Sequence, residues 1–424
     1  MIKIALALLV AVQLLQAKSI TMLLNRLEKM PESQLDRLSV EKSKLGERAL
    51  SDKLMPKVDI SAGYEVYSSP NGMLPVAPNE LIGMVKDQSI GQPFSKQIMR
   101  EGVSFSWPLF VKSIYTLKEK AQLLHLAAKE KKRLNLLQRQ AIVVGSVAQL
   151  HYLEAMSQAL QTKKRSILET QKSTKVKTKS GRIPESANYL LQSHIDDLDI
   201  AMNGIEQNRN LLASKIETLT GIDLKHSVTL HLKREVRQGE IFALKPLEIK
   251  VEATKKGIKA ANESYYPTVA TKGNYGYSQA DAYNNGASLH EHFGSAGLYV
   301  TMSLFDRSKS TASQEAKLAY LQEKRHYEQT EHTLTVQARQ LRREILLLKR
   351  SQKLAHKSIE NQQRLLNIAK VSLENENITQ EEYLRYEDAL ANAKANLYKI
   401  VAQKWQDIAQ LAVIYGNNLK EIVK

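Results

Sequence analysis

Residues 306–374 read DRSKSTASQEAKLAYLQEKRHYEQTEHTLTVQARQLRREILLLKRSQKLAHKSIENQQRLLNIAKVSLE, a stretch without Pro or Gly. Within it Leu334, Ala338, Leu341, Ile345, Leu348, Gln352, Ala355, Ile359, Gln362, Leu366, Ala369 and Leu373 step by four and three, the spacing of a heptad seam. One unbroken helix here would run about 100 Å at 1.5 Å per residue. A compact globule cannot bury such a seam within itself. Helices must therefore pack side by side, within the chain or between chains.

Working outward, the same pattern occurs twice. Leu109-Phe110 aligns with Leu304-Phe305, and the offset of 195 then holds without a gap to the end of the copy. Ile183 falls on Ile378, and Leu219-Thr220-Gly221 on Ile414-Tyr415-Gly416. Upstream, Pro56-Lys57-Val58 matches Pro267-Thr268-Val269 at an offset of 211, so the first copy carries a 16-residue insertion (211 − 195). It lies between Ser69 and Phe94, where Pro and Gly suggest an irregular loop. A fixed repeat of this kind sets the fold before any single motif does.

Each copy begins with a helical lead-in (about 19–52 and 240–264) and two alternating stretches. Val58, Ile60, Ala62, Tyr64 and Val66 alternate with Lys57, Asp59, Ser61, Gly63 and Glu65; Val103, Phe105, Trp107 and Leu109 do so in the next strand. The second copy repeats this with Val269, Thr271, Gly273, Tyr275 and Tyr277, then with Leu298, Val300, Met302 and Leu304. Period-two alternation gives each strand one apolar and one polar face. Strands are expected over about 57–67, 102–110, 268–278 and 297–305. Long helices follow at about 112–178 and 307–374, and shorter return helices at about 185–220 and 380–416. Residues 18–224 thus form the first repeat, 225–239 a linker or equatorial segment, and 240–424 the second repeat.

Composition narrows the function. Lys plus Arg number 61 against 44 Asp plus Glu, a formal charge of +17, and there is no Cys. Disulfides, thiolate metal sites, thiol catalysis and a lipid-modified N-terminal Cys are excluded. Lys3 followed by the apolar run from Ile4 to Leu15 reads as a signal peptide over residues 1–17. Export argues against nucleic acid as a partner, and most of the charge reads as solvated helix face. Four alternating strands are too few to close a barrel, yet an apolar face carrying Tyr64, Trp107 and Tyr275 suits lipid. Open sheet edges are not tolerated in a bilayer, so several chains would have to contribute to one closed barrel.

Taken together, the repeat architecture, the Pro-x-Val strand entries, the turn Ser180-Gly181-Arg182-Ile183-Pro184-Glu185 and the closing Leu219-Thr220-Gly221 resemble the TolC-type outer-membrane efflux protein family. The resemblance implies a mainly α chain with a membrane β-barrel. Three chains would form a homotrimer with one 12-stranded barrel, three times four strands, continued by an α-helical coiled-coil tunnel. It implies an outer-membrane exit duct reaching into the periplasm, for efflux or type I secretion. The implied partners are a periplasmic adaptor (membrane fusion) protein, an inner-membrane pump or ABC transporter, and outer-membrane lipid.

Under that resemblance Gly181, Arg182, Ile183, Pro184 and Glu185, with Asn377, Ile378, Thr379 and Gln380, are expected as adaptor-contacting tips. Lys175, Lys177 and Lys179 on the first hairpin and Glu374, Glu376, Glu381 and Glu382 on the second are expected as aperture charges, paired across hairpins. Asp196 and Asp199, near the start of the first return helix, are candidate tunnel lining. Val58, Ile60, Tyr64, Phe105, Trp107, Leu109, Tyr275, Leu298, Val300 and Met302 are expected to face lipid. The second turn, Glu374-Asn375-Glu376-Asn377-Ile378, lacks Gly, so an Asn is expected to supply any positive φ.

Enzymatic readings find no support. His290-Glu291-His292 lacks the spacing of a helical His-Glu-x-x-His zinc site and is expected in an external loop after Asn284-Asn285-Gly286. No phosphate-binding loop, nucleophile elbow or dinucleotide fingerprint is present, and no cofactor or metal is expected. The rival reading is a periplasmic coiled-coil adaptor or scaffold without a membrane barrel.

Overall fold

The computed structural model describes residues 19–224 and 226–424. The expected signal peptide lies outside the described residues. The elements run α1 (Ile20–Arg26), α2 (Pro31–Asp52), β1 (Lys57–Gly72), α3 (Pro78–Lys86), β2 (Phe94–Phe110), α4 (Lys112–Lys179) and α5 (Ser186–Thr220). They continue with α6 (Lys245–Glu263), β3 (Thr268–Asp281), β4 (Ser288–Thr301), α7 (Arg307–Glu374), α8 (Gln380–Ile414) and α9 (Leu419–Ile422). Both α4 and α7 have 68 residues, and both α5 and α8 have 35. No described helix is long and apolar enough to cross a membrane.

The chain divides into two compact units. One comprises the described residues up to Val40 with Ala128–Pro246 and Tyr327–Lys424. Its core is where the helices meet short irregular segments. Ile20, Leu23, Leu24 and Leu27 pack with Val143, Val144, Val147 and Leu150 of α4, Ile216 of α5, and Trp405, Ile408 and Ala412 of α8. The C-terminal Leu419, Ile422 and Val423 complete this core. The segment after α5 joins it through an antiparallel bridge, with His231 N donating to Lys424 O (2.9 Å) and Lys424 N to His231 O (3.0 Å). Along α7 the seam positions Ala338, Leu341, Ala355 and Ala369 are buried, while Leu346, Leu347, Leu354, Ile368 and Val371 beside them are exposed.

The other unit, Glu41–Ala127 with Leu247–His326, contains one antiparallel sheet in the order β1-β2-β3-β4. Its register places Val58 opposite Phe105, Ile60 opposite Val103, Trp107 opposite Thr271, Val103 opposite Tyr275, Thr271 opposite Leu298, and Val269 opposite Val300. Directly paired residues share a face. Val58, Ile60, Tyr64, Phe105, Trp107, Tyr275, Leu298 and Val300 therefore lie together, on the face opposite Ser61, Arg100, Ser104, Asn274 and Ser278. The Trp107 indole N–H donates to Leu54 O (3.1 Å), fixing the ring at the start of the sheet.

Several expectations are corrected here. All four strands are longer at their hairpin ends, and β4 ends at Thr301, short of the expected 305. Its last partner is Thr268, and Pro267 before it has no N–H with which to extend the ladder. Met302 is thus exposed just beyond the strand, not in it. Leu109 falls at an irregularity between the pairs Pro108–Ala270 and Phe110–Val269, again beside a residue without an N–H. The stretch Ser69–Phe94 is not wholly irregular: β1 continues to Gly72, and Pro78 opens α3 at a first-turn position that needs no N–H donor. His290-Glu291-His292 lies within β4, where Tyr277 Oη bonds His290 Nδ1 (2.8 Å) and Tyr275 Oη bonds His292 Nδ1 (2.9 Å).

Where α8 ends, Gly416 adopts φ +72°, and a Cβ added there would lie 2.4 Å from Phe242 Cγ. Both the conformation and the space require Gly. Gly416→Ala is expected to destabilise the protein by about 2 kcal/mol or more. Gly204→Ala, on a helical glycine with open space around it, is expected to stabilise by about 0.5–1 kcal/mol. Thermal melts of the two variants followed by circular dichroism check the opposite signs.

Candidate functional site

The two helical hairpins, both in the first unit, end in turns built alike. At the end of α4, Arg182 N donates to Lys177 O (2.9 Å) and Gly181 N to Thr178 O (2.9 Å). At the end of α7, Asn377 N donates to Ser372 O (2.8 Å) and Glu376 N to Leu373 O (3.0 Å). This nested pair satisfies the last helical carbonyls and requires a left-handed residue just past the helix. Gly181 holds that position at φ +73° and Glu376 at φ +56°. The expectation that an Asn supplies the positive φ is therefore corrected. The bond geometry fixes the position, and 181 + 195 = 376 places Glu376 there, between two asparagines that are out of phase.

Beyond the turns the hairpins differ. Thr379 caps α8: its hydroxyl accepts from Glu382 N (3.2 Å), and Glu382 Oε2 accepts from Thr379 N (2.8 Å), a reciprocal capping box. The backbone and hydroxyl hydrogen bonds from Thr379 hold the Glu382 carboxyl below its ordinary range. α5 has no side-chain cap; Pro184 O and Glu185 O instead accept from Ala187 N and Asn188 N. Asn188 Nδ2 also donates to Thr178 Oγ1 (3.0 Å), tying α5 back to α4. Arg182, Pro184, Glu185, Asn377, Thr379 and Gln380 are exposed, and Ile183 and Ile378 half-buried.

The expected aperture charges are on the surface of their own hairpins. Lys175, Lys177 and Lys179 are exposed, and among the described residues none has a carboxylate partner in the same chain. Glu381 is held by Arg385 (2.8 Å), while Glu374 and Glu376 are exposed. Higher up, the repeats are joined by a pair that sequence reasoning missed, Arg165 of α4 with Glu387 of α8. Next to it Asp388, half-buried, has its carboxyl pushed up by burial, partly offset by Lys163. Arg165 and Glu387 lie 222 positions apart, so the 195 offset gave no signal of their meeting.

The acidic residues of α5 expected as tunnel lining are placed as follows. α5 begins at Ser186, so Asp196 and Asp199 sit well inside it and beyond the reach of its N-terminal dipole. Asp199 is held by Lys164 Nζ (2.6 and 2.7 Å), and Asp196 is exposed, accepting from Gln192 (2.9 Å). The described residues contain no cluster of three or more metal-ligating side chains.

Comparison with known proteins returns the family described as Outer membrane efflux protein, matched over residues 240–417. That range falls within residues 240–424, read from the sequence as the second repeat, and its description agrees with the family the sequence resembles. No curated protein matches the chain in sequence. The fold is similar to that of several solved structures. One is the outer membrane protein VceC of Vibrio cholerae: 13 % identity, 94 % of this chain and 96 % of that one, TM-score 0.72. The Campylobacter jejuni CmeC outer membrane channel matches at 15 % identity over 95 % and 85 %, TM-score 0.70. The open-state Neisseria gonorrhoeae MtrE outer membrane channel matches at 14 % identity over 95 % and 90 %, TM-score 0.70.

The turn geometry yields two expectations. Glu376→Gly is expected to stabilise by about 1 kcal/mol, because a side chain in the left-handed region is strained, whereas Thr379→Ala is expected to cost about 1 kcal/mol through the lost cap. Since the folded Glu382 pKa lies below the unfolded value of about 4.3, its contribution is present above that pH and fades as pH falls through the depressed value. Melting temperatures of the wild type and Glu382→Ala, which removes the titrating carboxyl, are expected to converge under acid, a trend read from parallel melts at pH 7 and pH 3.

Proposed function

We propose that this chain is the outer-membrane exit duct of an efflux or type I secretion system, a passive channel that works as a homotrimer. The observation that carries this reading is the sheet. Four strands present one apolar, aromatic face and one polar face, and among the described residues β1 and β4 leave both edges without partners. In lipid such edges must be closed by further strands, and a small closed barrel needs about eight or more. Three copies supply twelve. The apolar face then meets outer-membrane lipid and the polar face the lumen.

The match over the second repeat and the shared fold of outer membrane channels support this placement. The long helices extend into the periplasm, and the two hairpin turns meet the adaptor that joins the duct to an inner-membrane transporter. Energy comes from that transporter. The exposed lysines of the first hairpin, without carboxylate partners in their own chain, pair with the glutamates of a neighbouring second hairpin and hold the aperture shut. Each exposed pair contributes about 0–1 kcal/mol, so closure depends on the whole ring.

Negative-stain electron microscopy of the detergent-purified protein is expected to show threefold tapered tubes. Thin, water-soluble rods without a barrel end would instead indicate a periplasmic scaffold. In planar bilayers the double variant Lys177→Glu, Lys179→Glu is expected to raise single-channel conductance severalfold, and an unchanged conductance would remove the charge ring from the account of closure.

A further inference from the structure

The insertion that distinguishes the first repeat does not hang free of the sheet. It lies across the polar face. Arg100 on β2 shares that face with Ser278 and with Glu65 of β1. Its guanidinium donates to Glu65 Oε2 (2.8 Å) and Ser278 Oγ (3.3 Å) on the sheet, and to Gly72 O (2.8 Å) and Met73 O (2.9 Å) where the insertion begins. Ser278 Oγ also donates to Met73 O (3.2 Å). Met73 itself is buried against Ile98 and Ala280 of the same face, with Leu74 and Leu289 beside it. An exposed connection would have no use for a buried Met and an Arg that donates four hydrogen bonds.

The other end of the insertion is fastened to the short turn of the second repeat. Asn284 Oδ1 accepts from Gln92 N (2.9 Å), Asn284 Nδ2 donates to Ile90 O (2.9 Å), and Asn285 Nδ2 donates to Ser89 O (3.0 Å). At Gly91 an added Cβ would lie only 3.1–3.3 Å from Leu289, Ala287 and Ala282. Between these two fastenings α3 leaves Ile82 and Val85 exposed. Beneath the first of them is a cavity of about 510 Å³ that Ser61, Arg100, Ser104, Asn274 and Ser278 help to line.

From these contacts we infer that residues 73–93 form an inward strap that narrows the outer mouth of the duct, with Arg100 as its positioning residue. The inference rests on the duct reading, which makes the polar face the lumen. The strap sits at the hairpin ends of the strands, opposite the ends that run into α4 and α7. It therefore limits entry and exit at the outer surface, independently of the helical tip. What passes beneath it meets the Arg100 guanidinium, hydroxyls and an amide together with the side chains of Leu74 and Pro75, so it favours slender solutes over bulky ones.

Because the chain has no Cys, a single reporter can test this. Ser104→Cys places a thiol on the polar face, and intact cells are treated with a small membrane-impermeant maleimide or a bulky polyethylene-glycol maleimide. In the full-length chain the small reagent is expected to label readily and the bulky one slowly. Replacing residues 73–93 by the second repeat's own turn, residues 282–287, should accelerate the bulky reagent severalfold. Arg100→Gln, which keeps the chain intact and frees the strap, should accelerate it to a lesser degree. Equal bulky-reagent rates in all three backgrounds overturn the strap while leaving the duct reading in place. No labelling by the small reagent in any background overturns the duct, and the strap with it.

Discussion

An antiparallel sheet with one apolar face and two unpaired edges sets the terms for everything else in this chain. Backbone N–H and C=O groups left open in lipid cost several kcal/mol each, so closure is a requirement. Among the described residues one chain offers β1 to β4, and neither edge finds a partner there. The proposed assembly follows from that shortage, and the apolar residues exposed beside the buried seam of α7 give neighbouring helices something to pack against. On this reading sheet and helices have the same incompleteness, and the same partners resolve both.

The two repeats share a plan but differ in detail. Their long helices end in the same nested hydrogen bonds, yet the left-handed position is an unstrained Gly181 in one and a strained Glu376 in the other. The second hairpin compensates with a capping box and the first with a side-chain tie from Asn188 to Thr178. In the sheet unit, the first strand pair carries an insertion and the second a tight turn, and the turn's asparagines hold the insertion in place. The turn between β3 and β4 thus serves as an anchor for the longer connection between β1 and β2.

Much of this was legible in the sequence because it is periodic. The seam of α7, the alternation of Val58, Ile60 and Tyr64, and the offset of 195 are patterns that one chain displays by itself. The helix termini followed from the same regularity to within about two residues, α8 ending at Ile414 and not at the expected 416. What could not be read depends on the phase of backbone hydrogen bonds at a helix end or on contacts between distant segments. Glu376 takes the left-handed position because the helix end places it there, against the intrinsic preference for Asn. The path of residues 73–93 is fixed by Arg100 and Met73 meeting across the sheet, and nothing in the local composition points to that. Pro108 and Pro267 did carry a signal, since a residue without an N–H marks where a ladder breaks or stops.

The equal lengths of α4 and α7, 68 residues each, and of α5 and α8, 35 each, act as a ruler. A deletion of one or two residues in a single arm would rotate its seam away from its neighbours, since the pattern returns to register only after about seven. Even a whole-heptad change would draw one turn back by about 10 Å relative to the other. Length can therefore change only in concert, by the same number of heptads in all four arms. A change in the length of these helices is therefore a change to both halves of the sequence at once.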